Sequence, residues 1–186
     1  IPEVLGRQLT LITVDNGWGY SDFLRLTSGL DVRKIVLVKG VAELIPEQGV
    51  ELVRYDNNFE KVLSMADLAL FPKLGATNRG DFIKVLQAGI PTVVHVMYHT
   101  GIINHMKNGF IYQSDDWALR WLNDLIHKED LRRSVREELK NNKVEMPVIQ
   151  QVAGCGSCQE KARQMAELRK KSIQEAKERE SNSEIK

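Results

Sequence analysis

Only two cysteines occur in the 186 residues, Cys155 and Cys158, and they stand three positions apart. A pair so close cannot staple a domain of this size. That excludes a disulfide-framework protein and makes a reducing, cytoplasmic setting the simplest expectation. Long apolar runs are also missing. Every hydrophobic stretch is broken by Gly, Pro or charge well short of the ~20 residues a membrane helix needs. No signal-peptide pattern is visible at the start. The chain opens at Ile1-Pro2 without an initiator Met, as a processed or excised piece would. Charge of one sign is missing as well: 26 Lys and Arg against 25 Asp and Glu leave a net +1. Nothing in that balance draws the whole protein to nucleic acid or to an anionic membrane. The four histidines and two cysteines lack the spacing of a zinc set, with no H-x-x-x-H and no second C-x-x-C, so no metal and no cofactor is expected.

Short apolar runs alternating with helical patterns are what the chain does have. Leu9–Val14 is rich in β-branched residues and ends at the turn signal Asp15-Asn16-Gly17. Ile35–Val38 ends at Lys39-Gly40, Val50–Val53 leads into Tyr55-Asp56-Asn57-Asn58, and Leu68–Phe71 ends at Pro72. Thr92–Val96 follows Gly89-Ile90-Pro91, and Phe110–Tyr112 is a shorter candidate. Continuously apolar strands imply a sheet covered on both faces. Between them, Ser21–Ser28, Phe59–Met65 and Phe82–Ala88 read as helices, with Asn57 or Asn58 as N-cap of the second and Gly89 as the C′ stop of the third. Strand–helix alternation predicts a doubly wound parallel α/β sheet, Rossmann-like, with right-handed crossovers. Any ligand is then expected beyond the carboxyl ends of the strands.

Two helices follow. The first, which Asp115 or Asp116 can cap, carries Trp117, Trp121, Leu122 and Leu125. The second runs from about Leu131 to Asn141, with Leu131, Val135 and Leu139 on one stripe. The predicted organisation is a domain over 1–143, a connector with the Cys-x-x-Cys over 144–158, and a charged helical tail over 159–186. The tail is a candidate for docking a protein or for self-association. Cys155 and Cys158 read as free thiols or a local disulfide, with redox and metal roles left as alternatives.

The stretch Ala66–Leu139 carries an ordered set of short signals: Ala66-Asp67 before a strand ending at Pro72, the turn Gly89-Ile90-Pro91, Asn108-Gly109, and Leu131-Arg132 in the second of two helices. In that order and spacing they resemble the carboxyl-terminal domain of GT-B glycosyltransferases, in the retaining group that uses nucleotide sugars. The resemblance covers roughly two-fifths of the chain. It implies a nucleotide sugar as substrate, a donor-binding domain, and an acceptor-binding domain that lies outside this sequence. Many relatives also carry two glutamates separated by seven residues. The matching positions here are Ala76 and Lys84, and the loop reads Thr77-Asn78-Arg79-Gly80-Asp81.

A diphosphate needs cations or backbone N–H donors at a helix start. The expected donor-site residues are Asn16, Gly17 and Trp18 after the first strand, Lys73 after the fourth, Asn78, Arg79 and Lys84 at the next helix start, and His99 near the fifth strand end. Asn78 reads either as a helix cap or as a ligand to a hydroxyl. Lys73 and Lys84 read equally well as solvated charges, and Trp18 as a packed edge residue. No catalytic base is identifiable. The expected function is a glycosyltransferase or its donor-binding half. The competing reading is a binding or scaffold module that kept the half-fold without the reaction. A phosphoacceptor receiver, suggested by Asp15 and Asp56 at strand ends, lacks the lysine expected after its fifth strand, where His95-Val96 stand instead.

Overall fold

In the computed structural model, residues 6–40, 43–98 and 101–145 are described. Cys155, Cys158, His99 and the charged tail lie outside them. The β-branched and leucine runs become six strands: β1 (Thr10–Asp15), β2 (Arg33–Val38), β3 (Val50–Arg54), β4 (Leu68–Phe71), β5 (Thr92–His95) and β6 (Phe110–Tyr112). The helices are α1 (Tyr20–Thr27), α2 (Phe59–Met65), α3 (Arg79–Gln87), α4 (Asp115–His127) and α5 (Glu129–Asn141). All strand pairs are parallel, in the order β3-β2-β1-β4-β5-β6. This is the doubly wound order, and the chain reverses direction across the sheet between β1 and β4.

Burial follows position in that order. Central β1 and β4 are buried at every residue, whereas the edge strand β3 is half-covered or exposed throughout. Helices on both faces account for the continuous burial. Phe82 of α3 packs edge-on against Phe71 of β4, with ring centroids 5.3 Å apart and both side chains at or below 1% exposure. Truncating either to Ala would destabilise by about 3–5 kcal/mol.

The helix ends show how local sequence was spent. α3 stops in a Schellman pair: the Gly89 amide donates to Leu86 O at 2.9 Å and the Ile90 amide to Val85 O at 3.3 Å, with Gly89 at φ 77°. The helix also starts earlier than its apolar pattern suggests, at Arg79, because Asn78 O accepts the Phe82 amide. α5 likewise starts at Glu129, so that Lys128 alone separates it from α4. Asn58, not Asn57, stands at the N-cap position of α2. Its side chain turns back to Arg54 O and Asp56 O and makes no cap bond, while Asn57 takes a left-handed φ of 62°. Ser114 precedes α4, and Asp115 is its first residue. No helix among the described residues is long and apolar enough to cross a membrane.

Candidate functional site

At the switch point, the carboxyl ends of β1 and β4 open a crevice, and the loops after β1, β2 and β4 converge on it. The β1 loop is shaped by Asp15, 3% exposed, whose two carboxylate oxygens accept the Gly19 amide at 3.0 and 3.1 Å. Asp15 therefore serves the start of α1. Gly17 has φ 104°, a backbone region closed to most side chains. Asn16 joins this loop to the β4 loop through its Nδ2, which donates to Thr77 Oγ1 at 3.2 Å, while its Oδ1 accepts the Trp18 amide at 3.3 Å. Trp18 stays 52% exposed, edge-on to Tyr98, with Lys73 Nζ 4.9 Å from its ring centroid.

The β4 loop is held by Asn78. Its Oδ1 accepts the Gly75 amide at 2.8 Å, and its Nδ2 donates to Val14 O and Lys73 O, each at 3.0 Å. Both side-chain protons are used, and the residue is 5% exposed. Neither sequence reading of Asn78 describes this: it makes no cap bond and has no donor left for a ligand, because it staples the β4 loop to β1. Arg79, next in sequence, is exposed; its amide donates to Gly75 O at 3.0 Å, but its side chain has no hydrogen bond or ion pair among the described residues. Lys84 is exposed and lies with its Nζ 5.6 Å from the Phe59 ring, turned toward α2. Of the residues expected at the site, Asn16, Gly17, Trp18, Lys73 and Arg79 thus gather at the β1 and β4 loops, and Lys84 stands aside.

Three residues outside the expected donor-site set complete the crevice. Lys39, just beyond β2, donates from Nζ to Thr77 O at 2.7 Å and to Asp81 Oδ2 at 2.6 Å. Tyr55, just beyond β3, donates its hydroxyl to Asp81 Oδ1 at 2.6 Å, and its ring lies 4.5 Å from the same ammonium. Burial, with the Asp81 hydrogen bond second, pushes the Tyr55 hydroxyl well above the ordinary tyrosine range, so it remains a neutral donor. Asp81 lies in the first turn of α3, 3% exposed, where backbone N–H groups favour negative charge. Strand-end position was the signal that could have found Lys39 and Tyr55. Nothing local marks Asp81, whose partners are 42 and 26 residues away.

A roomy cleft, about 480 Å³, lies elsewhere, at the amino edge between Arg7, Asp67, Gly89 and Arg136. Ligands of doubly wound sheets bind at the other edge, and here Arg7 and Arg136 both turn to Asp67. We therefore place the candidate site at the carboxyl edge. No group of three or more His, Cys, Asp or Glu able to hold a metal occurs among the described residues.

Sequence comparison finds no matching family model and no significantly similar curated protein. Solved structures do match. WaaG, a glycosyltransferase involved in lipopolysaccharide biosynthesis, aligns with 73% of this chain and 42% of its own at 16% identity and TM-score 0.61. The carboxyl-terminal domain of the group 1 glycosyl transferase LpcC from Francisella tularensis aligns with 73% of this chain and 84% of its own, at 12% identity and TM-score 0.57. Anabaena HepE, solved in complex with UDP and glucose, aligns with 72% of this chain and 43% of its own, at 11% identity and TM-score 0.56. The chain spans about two-fifths of the length of WaaG and HepE, and most of the isolated LpcC domain. Six parallel strands in the order 3-2-1-4-5-6, with these neighbours, give the chain the Rossmann-like fold of one half of a GT-B glycosyltransferase.

Proposed function

We propose that the chain is the donor-binding half of a glycosyltransferase that moves a sugar from a nucleotide sugar to an acceptor held by another domain or chain. The observation that carries the reading is the exposed Arg79 at the start of α3, its side chain unpaired among the described residues, next to the β4 loop that Asn16 ties through Thr77 to the glycine-bearing β1 loop. A guanidinium there can bridge two phosphate oxygens, and the first-turn amides of α3 add donors of the same sense. Gly17 lets the backbone approach a diphosphate closely, and Trp18 offers an exposed ring for a base or sugar. Catalysis would come from holding the donor in position and stabilising the departing diphosphate.

A second reading has its own observation. The Asp81 carboxylate already occupies the first turn of α3 and keeps Lys39 at 2.6 Å, so that cation of the crevice is committed internally. A domain that kept the half-fold as a binding or scaffold module would tolerate that arrangement. The residue 159–186 tail would then supply the contact to a protein partner or to a second copy.

A thermal-shift panel of UDP, GDP, ADP, CMP and their sugar conjugates separates the two. A bound ligand at about a hundred times its Kd stabilises by roughly 2.7 kcal/mol. The donor reading expects a shift with one nucleotide family that disappears in Arg79→Ala. No shift at millimolar nucleotide, together with self-association that is lost on deleting 159–186, would establish the scaffold reading instead.

A further inference from the structure

Two large apolar side chains in solvent, Met106 at 55% exposure and Trp117 at 44%, stand together at the β6 edge of the sheet. With Ile111, Trp121 and Arg120 they line a cavity of about 400 Å³ that shares no residue with the crevice. Trp117 stacks on Trp121 with ring centroids 5.5 Å apart, and Trp121 packs in turn on Phe110 at 5.2 Å, so the outer indole is braced from the core. The Arg120 guanidinium lies 5.0 Å from the Trp117 ring and 5.9 Å from the Trp121 ring. Arg120 is exposed, and its side chain has no hydrogen bond or ion pair among the described residues. No carboxylate lines the cavity.

The loop before β6 holds Met106 in place against its backbone preference. Its φ is 65°, in the left-handed region that side chains other than glycine disfavour. The Met106 amide donates to Gly109 O at 2.8 Å, while the Asn108 side chain accepts the Asn104 amide at 2.6 Å and donates to Ile102 O at 3.1 Å. Backbone strain fixed this firmly around an exposed methionine points to contact with something else. His105 Nδ1 takes the Ile111 amide at 3.0 Å, so this amide of the edge strand does not recruit a further strand and side chains carry the contact. Trp, Met and Arg are the residue types enriched where proteins meet.

An aliphatic side chain beside a carboxylate matches such a cavity in both polarity and charge, and the chain's own surface offers one. In the connection from β2 to β3, Ile45 is 78% exposed, between the exposed Glu43 and Glu47. Neither carboxylate has an ion pair among the described residues. The Tyr20 hydroxyl donates to Ile45 O at 2.8 Å, and Pro46 restricts Ile45 to extended backbone. A side chain pre-set in this way loses little freedom on binding. Strands β2 and β6 stand four strand spacings apart in the sheet, roughly 19 Å, so a chain does not fill its own cavity.

We propose that copies of this chain join head to tail, Ile45 of one protomer entering the cavity between Met106, Trp117 and Trp121 of the next, with Glu43 and Glu47 meeting Arg120. The contact is heterologous and can repeat. One apolar side chain and a few charges make a small contact, so the association is weak and reversible. It depends neither on nucleotide binding nor on residues 159–186.

The test is sedimentation of the full chain from micromolar to millimolar concentration. The mass of the parent should rise with concentration. Ile45→Asp and Trp117→Ala should each weaken the association by about tenfold or more, as loss of a central contact does. Both side chains are exposed, and thermal midpoints matching the parent would show that the fold is kept. Arg120→Glu, which leaves the aromatic stack in place, should weaken association as well. An equimolar mixture of Ile45→Asp and Trp117→Ala should form a complex of one copy of each and no larger, because the first keeps the cavity and the second keeps the isoleucine. The proposal is overturned if the parent does not associate, if Ile45→Asp and Trp117→Ala both associate as tightly as the parent, or if the mixture associates no more than its components.

Discussion

The two edges of the sheet use their charged residues in opposite ways. At the amino edge, Asp67 accepts the Thr10 amide at 2.9 Å and the Arg7 guanidinium at 2.9 Å, with Arg136 at 3.5 Å. One carboxylate thereby ties the segment before β1, the start of β1, the start of β4 and α5 into a single clamp. At the carboxyl edge, Arg79 is left unpaired, Trp18 is half in solvent and the Tyr112 hydroxyl has no partner among the described residues. A clamp of closed pairs holds a fold together, whereas unspent donors and an exposed ring are what a ligand can use. The signals that resemble glycosyltransferases divide along this line. Asp67 belongs to the clamp, Gly89 ends α3, and Arg132 donates to Leu125 O and Ile126 O at 2.6 and 2.7 Å, closing the end of α4. Most of the recognisable pattern therefore reports architecture, and the groups left unpaired at the carboxyl edge lie outside it.

Among the polar contacts of the two edges, breaking the clamp should give the largest effect on stability. Asp67→Ala strands the buried Thr10 amide and releases two solvent-accessible guanidinium groups, and is expected to cost about 3 kcal/mol, read as a fall in the urea midpoint. Ligand binding by the molecules that remain folded should be unaltered. A midpoint within error of the parent would remove the distinction between the edges.

Tyr55→Phe sharpens the comparison from the other side, because the Lys39–Asp81–Tyr55 network is the closed part of an otherwise open edge. The expected loss is about 1–2 kcal/mol at neutral pH, the range for a hydrogen bond to a charged partner. The pH dependence has a definite sign. The folded-state pKa of Tyr55 is raised above the ordinary 10.0, so its contribution is complete below pH 10 and is lost as pH climbs through the folded value. Denaturation curves at a series of alkaline pH values should therefore converge for parent and variant. Parallel curves would show that the hydroxyl is not held as the geometry implies.

The smallest effect belongs to Asp115→Asn. The Arg25–Asp115 pair has both side chains more than half exposed, and such pairs contribute less than about 1 kcal/mol. Its folded pKa is depressed, so what it contributes is present above the ordinary carboxylate range and fades as pH falls. The variant should match the parent at acid pH and trail it slightly at neutral pH. Urea midpoints at acid and neutral pH read the difference, and a loss at neutral pH well above about 1 kcal/mol would sink this ranking.

Much of the fold was legible because its signals are local. The runs at Leu9–Val14, Ile35–Val38 and Leu68–Phe71 are apolar on both faces, and a covered parallel sheet is what accommodates that pattern repeatedly. Gly89 could be read as a helix stop because left-handed backbone strongly favours glycine. The site was legible only in its outline. The strand-end rule pointed to Asn16–Trp18, Lys73 and Arg79, yet it could not reveal that Asn78 is consumed by Val14 O, 64 residues away in sequence.

The sequence by itself determined the class of sheet, the places where helices stop and the edge on which chemistry belongs, since each depends on periodicity or on one residue's backbone freedom. Only the tertiary structure decided which polar groups are spent and which are spare. Lys39 and Arg79 are both cations beside the same helix start, and no local pattern separates them. The difference is Asp81, which the packing of α3 against the sheet sets 2.6 Å from Lys39 while Arg79 is left in solvent. A charge's availability is fixed by what the fold brings within hydrogen-bonding reach, and that is a property of the assembled sheet.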